Sequence, residues 1–331
     1  MKQWNVIVCL AAALVLASCA TTISRSVMRP AQFDLDGAAS IAVLPFAASG
    51  TTNIDSSGLL PVDVIQLASS LAGDGEPDER RMVDYVTSQL TARLSQSGYY
   101  TLISASAVTR AVQAGNPPPV DVYLTGSVID FSHHTSTRTE KRWLDADKKE
   151  YVIDTFYTRH VDVRIQYQAI DARTDRVLAT NTRSYSASSG EHSSRTALPP
   201  PYRIIEPRLD TFVAQVMREL EPYPETVKVR LLKDRSGSEY LKAAGNLARQ
   251  GELATARDMF LKEYRYSGNF VAGYNAALLW QADGQLEEAR TLLSALVESS
   301  GDKRATKALA ALDYEIAQQE KLRRQEAARE Q

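Results

Sequence analysis

Gly251-Glu252-Leu253-Ala254-Thr255-Ala256-Arg257 returns 33 positions later as Gly284-Gln285-Leu286-Glu287-Glu288-Ala289-Arg290. A segment that recurs at such a period is one supersecondary unit stacked on its own copy. Each glycine sits where a helix must end and turn sharply into the next. The alanine five residues on must be small, because the two helices of a hairpin cross closely there. From Ser236 onward alanine, leucine and charged residues dominate. The spacing predicts helices over 237–249, 253–266, 270–282, 286–298 and 303–325. Two units are too few to support themselves as a stack. The last helix is therefore expected to cover the exposed end with Ala305, Leu309, Leu312 and Ile316. Beyond Gln318 it turns polar and is expected to fray.

The preceding part mixes strands and helices. Ser40–Phe46 is apolar on both faces and reads as a strand inside a sheet. Residues 47–75 read as a long loop with a short helix near Asp63–Leu71. In 78–97, Val83, Val86, Leu90 and Leu94 fall at helical spacing, and Gly98 ends the helix. Tyr99–Ile103 reads as a strand and Ala105–Ala114 as a short helix. Val120–Phe131 is extended, and polar sequence follows to Glu150. In the next run Val161, Val163, Ile165, Tyr167 and Ala169 alternate with polar residues, giving a strand with one buried face. Arg176–Ser188 is its hairpin partner. Pro207 is expected to open a helix whose buried face is Leu209, Phe212, Val213, Val216 and Leu220. Val227, Val229 and Leu231 mark a last strand. Residues 20–38 show little periodicity and read as a tether.

The chain carries little recognisable chemistry. Its formal net charge of −2 gives no argument for nucleic acid. Cys9 and Cys19 are its two cysteines, both near the N-terminus. The remainder therefore offers no disulfide, thiol nucleophile or thiolate metal site. No nucleophile elbow, Walker loop or calcium loop occurs. A hairpin turning near Ala146 sets His160 opposite His133. Two imidazoles without a third ligand at metal-binding spacing read as polar residues on a solvated hairpin. His192 is read the same way. No cofactor or catalytic residue is expected.

Three resemblances add to this reading. Lys2, the apolar run Val6–Leu16 and the ending Leu16-Ala17-Ser18-Cys19 form a secretory signal that resembles the bacterial lipobox. That resemblance implies cleavage before Cys19, acylation of Cys19 and stable anchoring by several acyl chains. The run could instead be an ordinary secretory signal or a buried helix. Ala20, where enteric lipoproteins retained at the inner membrane carry Asp, implies the outer membrane. Ile41–Phe46, helix 78–97 with Gly98–Ile103, Asp121–Val128 and the hairpin Tyr167–Thr180 resemble the TolB N-terminal-like fold of CsgG-like curli-secretion lipoproteins and of lipoprotein activators of penicillin-binding proteins. Where that family has Thr-Gly in the hairpin turn, this chain has Thr174-Asp175. The 33-residue period, with Tyr274-Asn275-Ala276-Ala277 in the second unit, resembles the tetratricopeptide repeat.

The expected architecture is a mixed α/β, TolB N-terminal-like sandwich over 39–234, followed by all-α tetratricopeptide-like repeats over 236–331. Before them lie a signal peptide at 1–18 and a lipid-anchored tether at 19–38. The expected function is non-enzymatic. An envelope lipoprotein on the periplasmic face of the outer membrane would bind a protein or peptide partner, with oligomerisation open. Tyr240, Tyr274 and Trp280 are the candidate contacts. The alternatives are a subunit of a curli-type secretion channel and a hydrolase of envelope polymers.

Overall fold

The computed structural model describes residues 21–48, 77–145, 147 and 149–330. Cys19 and the helix expected near Asp63–Leu71 lie outside them. The chain divides into two compact units. One, the sheet unit, comprises Ala31–Pro222 and Arg324–Gln331; the other, the helical unit, comprises Met1–Pro30 and Tyr223–Arg323.

The sheet unit is mixed α and β. Its helices are α1 (Pro77–Ser97), α2 (Ala105–Gln113) and α3 (Pro201–Leu220). Its strands are β2 (Ser40–Val43), β3 (Thr101–Leu102), β4 (Val122–Asp145), β5 (Glu150–Asp171) and β6 (Val177–Ser188), in the order β3-β2-β4-β5-β6. β2 runs parallel to β3 and β4, whereas β4, β5 and β6 are antiparallel. On one face Ile41, Val43, Val122, Leu124, Ile165 and Tyr167 pack with the apolar stripes of α1 and α3. On the other, Ala42, Leu44, Tyr123 and Ile170 cover Val108 of α2. The α1 stripe of Met82, Val83, Val86, Leu90 and Leu94 is fully buried. Each such side chain contributes about 1.5–3 kcal/mol relative to exposure.

Three details of this unit depart from expectation. β4 does not stop at Phe131 but runs through the polar stretch to Asp145. A ribbon solvated on both faces needs no apolar alternation, because cross-strand bonds satisfy its backbone and β-branched Thr135, Thr137 and Thr139 favour extension. Helix α3 starts at Pro201, so Pro207 lies inside it. Burial of Ile204 and Ile205 holds the added turns. Finally, the chain end does not fray at Gln318. Gln325 is buried, its Nε2 donating to the carbonyls of Ala31 at 3.1 Å and Phe33 at 3.4 Å. The Arg329 guanidinium lies 4.2 Å from the centre of the Tyr99 ring. A polar helix end is thus retained by hydrogen bonding, which an apolar-stripe argument does not detect.

The helical unit contains β1 (Thr22–Arg29) and β7 (Tyr223–Arg230), paired antiparallel as a two-stranded sheet. Residues 22–29 are therefore a strand rather than a tether. Val229 and Leu231 pack with the helices of this unit, not in the sheet unit. The helices are α4 (Glu239–Arg249), α5 (Leu253–Ser267), α6 (Phe270–Asp283), α7 (Leu286–Ser300) and α8 (Lys303–Arg329), the last counted here to Arg323. Gly251 and Gly284 adopt φ of 90° and 84°, the left-handed turns that the repeat requires. Ala256 and Ala289 are completely buried. Helix α6 is buried almost all round, from Ala272 to Ala282, as befits a helix with neighbours on every side. Ala305, Leu309, Leu312 and Ile316 of α8 pack with the α7 residues Leu293 and Leu296.

Candidate functional site: a basic groove in the helical unit

Residues at helical spacing on two elements leave a groove between them. Val271, Tyr274, Leu278 and Gln281 lie on one face of α6, and Arg304, Ala308, Ala311 and Glu315 on one face of α8. With Val227–Lys233 they enclose a space of about 1240 Å³. The face that α8 turns to α7 is apolar. The face beside it carries Arg304 and Lys307, then the small side chains of Ala308 and Ala311 before Tyr314 and Glu315.

The groove has a strong sign. Lys228, Arg230, Lys233, Arg235 and Lys307 line it, and none forms an ion pair among the described residues. Arg29 is also at its wall but pairs with Glu225 at 2.7 Å. Arg304 pairs with Asp302 at 2.6 Å and stands 4.9 Å from the Phe270 ring centre. That pairing, with the Arg304 backbone N–H donating to the same carboxylate, lowers the Asp302 carboxyl to about 2. The Tyr274 hydroxyl titrates above its ordinary value, chiefly through burial, with Arg304 opposing the rise.

A buried carboxylate closes one end. Glu315 is 3% exposed. Its Oε2 accepts from Gln281 Nε2 at 2.9 Å, while Arg25 Nη1 donates to the Gln281 carbonyl at 2.6 Å. Glu315 Oε1 lacks a hydrogen-bond partner, with Arg25 Nη1 3.8 Å away. Cations over an apolar floor, with one acceptor at the end, suit binding of an anionic chain. No nucleophile and base are paired here.

Of the residues singled out in the sequence, Tyr274 lines this groove. Tyr240 lines a separate hollow of about 870 Å³ with Leu261 and Tyr266. Trp280 packs with the α7 cluster, 5.8 Å from Arg257. The groove cations come from a strand, a loop and a capping helix, none of which belongs to the repeat, so no single periodicity in the sequence groups them. The signal available was the Arg304, Lys307, Ala308, Ala311 stripe beside the apolar one.

The histidine pairing is displaced by one residue. Val128 pairs with Ile165 but Asp130 pairs with Arg164, so Ile129 is a bulge. That slip sets His134, not His133, opposite His160, with the rings stacked at 4.8 Å. His133 faces Val161 instead. His160 Nε2 lies 2.9 Å from Ser136 Oγ. Among the described residues no three His, Cys, Asp or Glu side chains are grouped to hold a metal ion.

No protein-family model matches the chain, and neither does any curated protein. Solved structures do. A PelC dodecamer from Paraburkholderia phytofirmans matches at 14% identity over 61% of this chain and 99% of that one, with a TM-score of 0.29. Lipoprotein GNA1162 from Neisseria meningitidis matches at 16% identity, over 55% and 96%, with a TM-score of 0.24. The LpoB C-terminal domain from Salmonella enterica matches at 10% identity, over 44% and 82%, with a TM-score of 0.19.

Proposed function

We propose that this chain is a non-enzymatic envelope lipoprotein that holds a partner protein in the groove between α6, α8 and β7. The unpaired cations above an apolar floor carry this reading, since a surface that concentrates one sign of charge recruits a partner of the other. The signal-like segment that ends at Cys19 supports lipid attachment, and Ala20 supports the outer over the inner membrane. The 33-residue period supports tetratricopeptide-like hairpins as the frame of the groove, and the strand and helix order of 39–222 supports a TolB N-terminal-like partner domain.

Two experiments on the full-length chain test the proposal. Cys19→Ala should abolish acyl labelling and release the protein from membranes; full retention refutes the anchor. A photo-crosslinking residue in place of Tyr274 should give a discrete protein adduct in native membranes. The same residue in place of Tyr266, which is 89% exposed in the other hollow, should not. Adducts from position 266 with none from 274 refute the groove.

A further inference from the structure

Strand β7 has an unused edge. Leu231 N–H donates to the Thr21 carbonyl at 2.9 Å, and the register pairs Val229 with Ile23 and Val227 with Arg25. In an antiparallel ladder the N–H and C=O of alternate residues point to the same side. Odd-numbered residues of β7 therefore bond to β1. The N–H and C=O groups of Thr226, Lys228 and Arg230 point the other way, where no hydrogen bond to them is found among the described residues. Pro224 falls in this outward set, where its missing N–H costs no ladder bond.

The next outward residue shows what such a neighbour looks like. Leu232 N–H donates to Asn275 Oδ1 at 2.7 Å, and Asn275 Nδ2 donates to the Leu232 carbonyl at 2.9 Å. The Asn275 amide thus exchanges the two bonds that a residue of an adjoining strand would make. It occupies the first position of a third strand and leaves the following three positions open. Unpaired strand edges are templates for extended chains.

We infer that the groove binds an acidic segment of its partner in extended form, added as a third strand along Thr226, Lys228 and Arg230 of β7. This rests on the groove reading above and specifies its ligand. Three consecutive outward positions correspond to about 20 Å of strand, or roughly six residues. Side chains of an added strand alternate between faces, so acidic residues at every second position meet Lys228 and Arg230, while the apolar ones between them turn to the helix side with Val271, Tyr274 and Leu278. The backbone supplies the pairing, and the charges select the sign.

The test uses full-length protein in detergent and a fluorescein-labelled decapeptide of five Glu-Val repeats, read by anisotropy. The acidic peptide should bind, and its Lys-Val counterpart should bind at least tenfold more weakly. N-methylation of one alternate set of peptide nitrogens should weaken binding at least tenfold; methylation of the other set should not, since an added strand pairs along one edge. These ligand changes leave the protein untouched. Lys228→Glu with Arg230→Glu should weaken the acidic peptide at least tenfold. If both methylated peptides bind like the parent, strand addition is refuted while the groove stands. If no acidic peptide binds although Tyr274 still crosslinks to a protein, the acidic ligand is refuted and the groove again stands. If Cys19→Ala protein, which carries no acyl anchor, binds phosphatidylglycerol vesicles and no peptide, the groove is a lipid site and the inference is refuted.

Discussion

Arg183 of β6 donates to the Glu219 carboxylate of α3 at 2.6 Å. Glu219 is 4% exposed, and Asn181 Nδ2 reaches the same oxygen at 2.9 Å. The Tyr167 hydroxyl donates to the other oxygen. A buried carboxylate is tolerable only when its lone pairs are used. Three donors on two strands therefore fix where α3 lies on the sheet. Tyr167 holds its proton far more firmly than a free phenol, through burial first and the Glu219 bond second.

Arg183→Ala leaves that carboxylate with neutral donors only. The variant should lose about 2 kcal/mol in urea denaturation, the range for hydrogen bonds to charged groups. Adding Glu219→Gln should recover part of the loss, because the uncompensated buried charge is removed. A single variant as stable as the parent would show that the contact contributes nothing.

Gly126 of β4 lies under the Phe46 ring. A Cβ there would collide with that ring edge and with the Gln166 carbonyl of β5. Gly126→Ala should cost about 3 kcal/mol, the upper part of the range for overpacking a core. Phe46→Leu should not rescue it, since the Gln166 carbonyl is backbone and cannot yield. Restored stability in the double variant would place the whole conflict on the ring.

These two sites show what the sequence could and could not disclose. Alternation marked Val161, Val163, Ile165, Tyr167 and Ala169 as one face, and all five are buried. The repeat located five helices, each start within two residues. Both patterns record burial, which leaves a periodic trace. The Arg183–Glu219 pair leaves none, because its partners are 36 residues apart and polar. The bulge at Ile129 is equally silent, and counted from the base of the ribbon it sets His134 rather than His133 opposite His160. The groove cations share no period, so Tyr274 was legible as a candidate and Lys228, Arg230 and Lys307 were not.

Glu221 gives the sheet unit a pH dependence. Burial pushes its carboxyl up to about 6, against the downward pull of the Ser97 hydroxyl, which donates at 2.8 Å, and of the Arg329 guanidinium. The ordinary value is 4.5. Between these values the folded chain holds a proton that the unfolded chain has released. Stability from this group is full below pH 4.5, falls as pH rises to about 6, and stays low above it. Glu221→Gln should remove that slope and raise stability at pH 8 by about 1 kcal/mol, a partial shift discounted for solvent screening. Denaturation midpoints of parent and variant across pH 4 to 8 on the order of one-unit steps provide the check; parallel curves would refute the assignment.

The outer part of the β4–β5 ribbon tests the channel alternative. A membrane-spanning strand needs about 9–11 residues with an apolar outward face. In 132–142 one face carries Arg138, Glu140 and Arg142, and the other carries His133, Thr135, Thr137, Thr139 and Lys141. These charges are already engaged in a water-facing network. Arg142 pairs with Asp154 at 2.7 Å, Arg138 with Glu191 at 2.6 Å, and Lys141 stands 4.5 Å from the Tyr151 ring centre. Moving one Lys or Arg to the lipid midplane costs roughly 2–4 kcal/mol, and each copy of the ribbon would move several. Trp143, Leu144, Tyr151 and Ile153 are exposed, but they sit at the tip and give no continuous face. Purified lipidated protein should therefore show no stable unitary conductance in planar bilayers. Carbonate extraction should release Cys19→Ala completely, since neither face of the 132–142 strand suits lipid. Reproducible single-channel steps, or a ring bearing a membrane barrel in electron micrographs, would overturn this and make the chain a channel subunit.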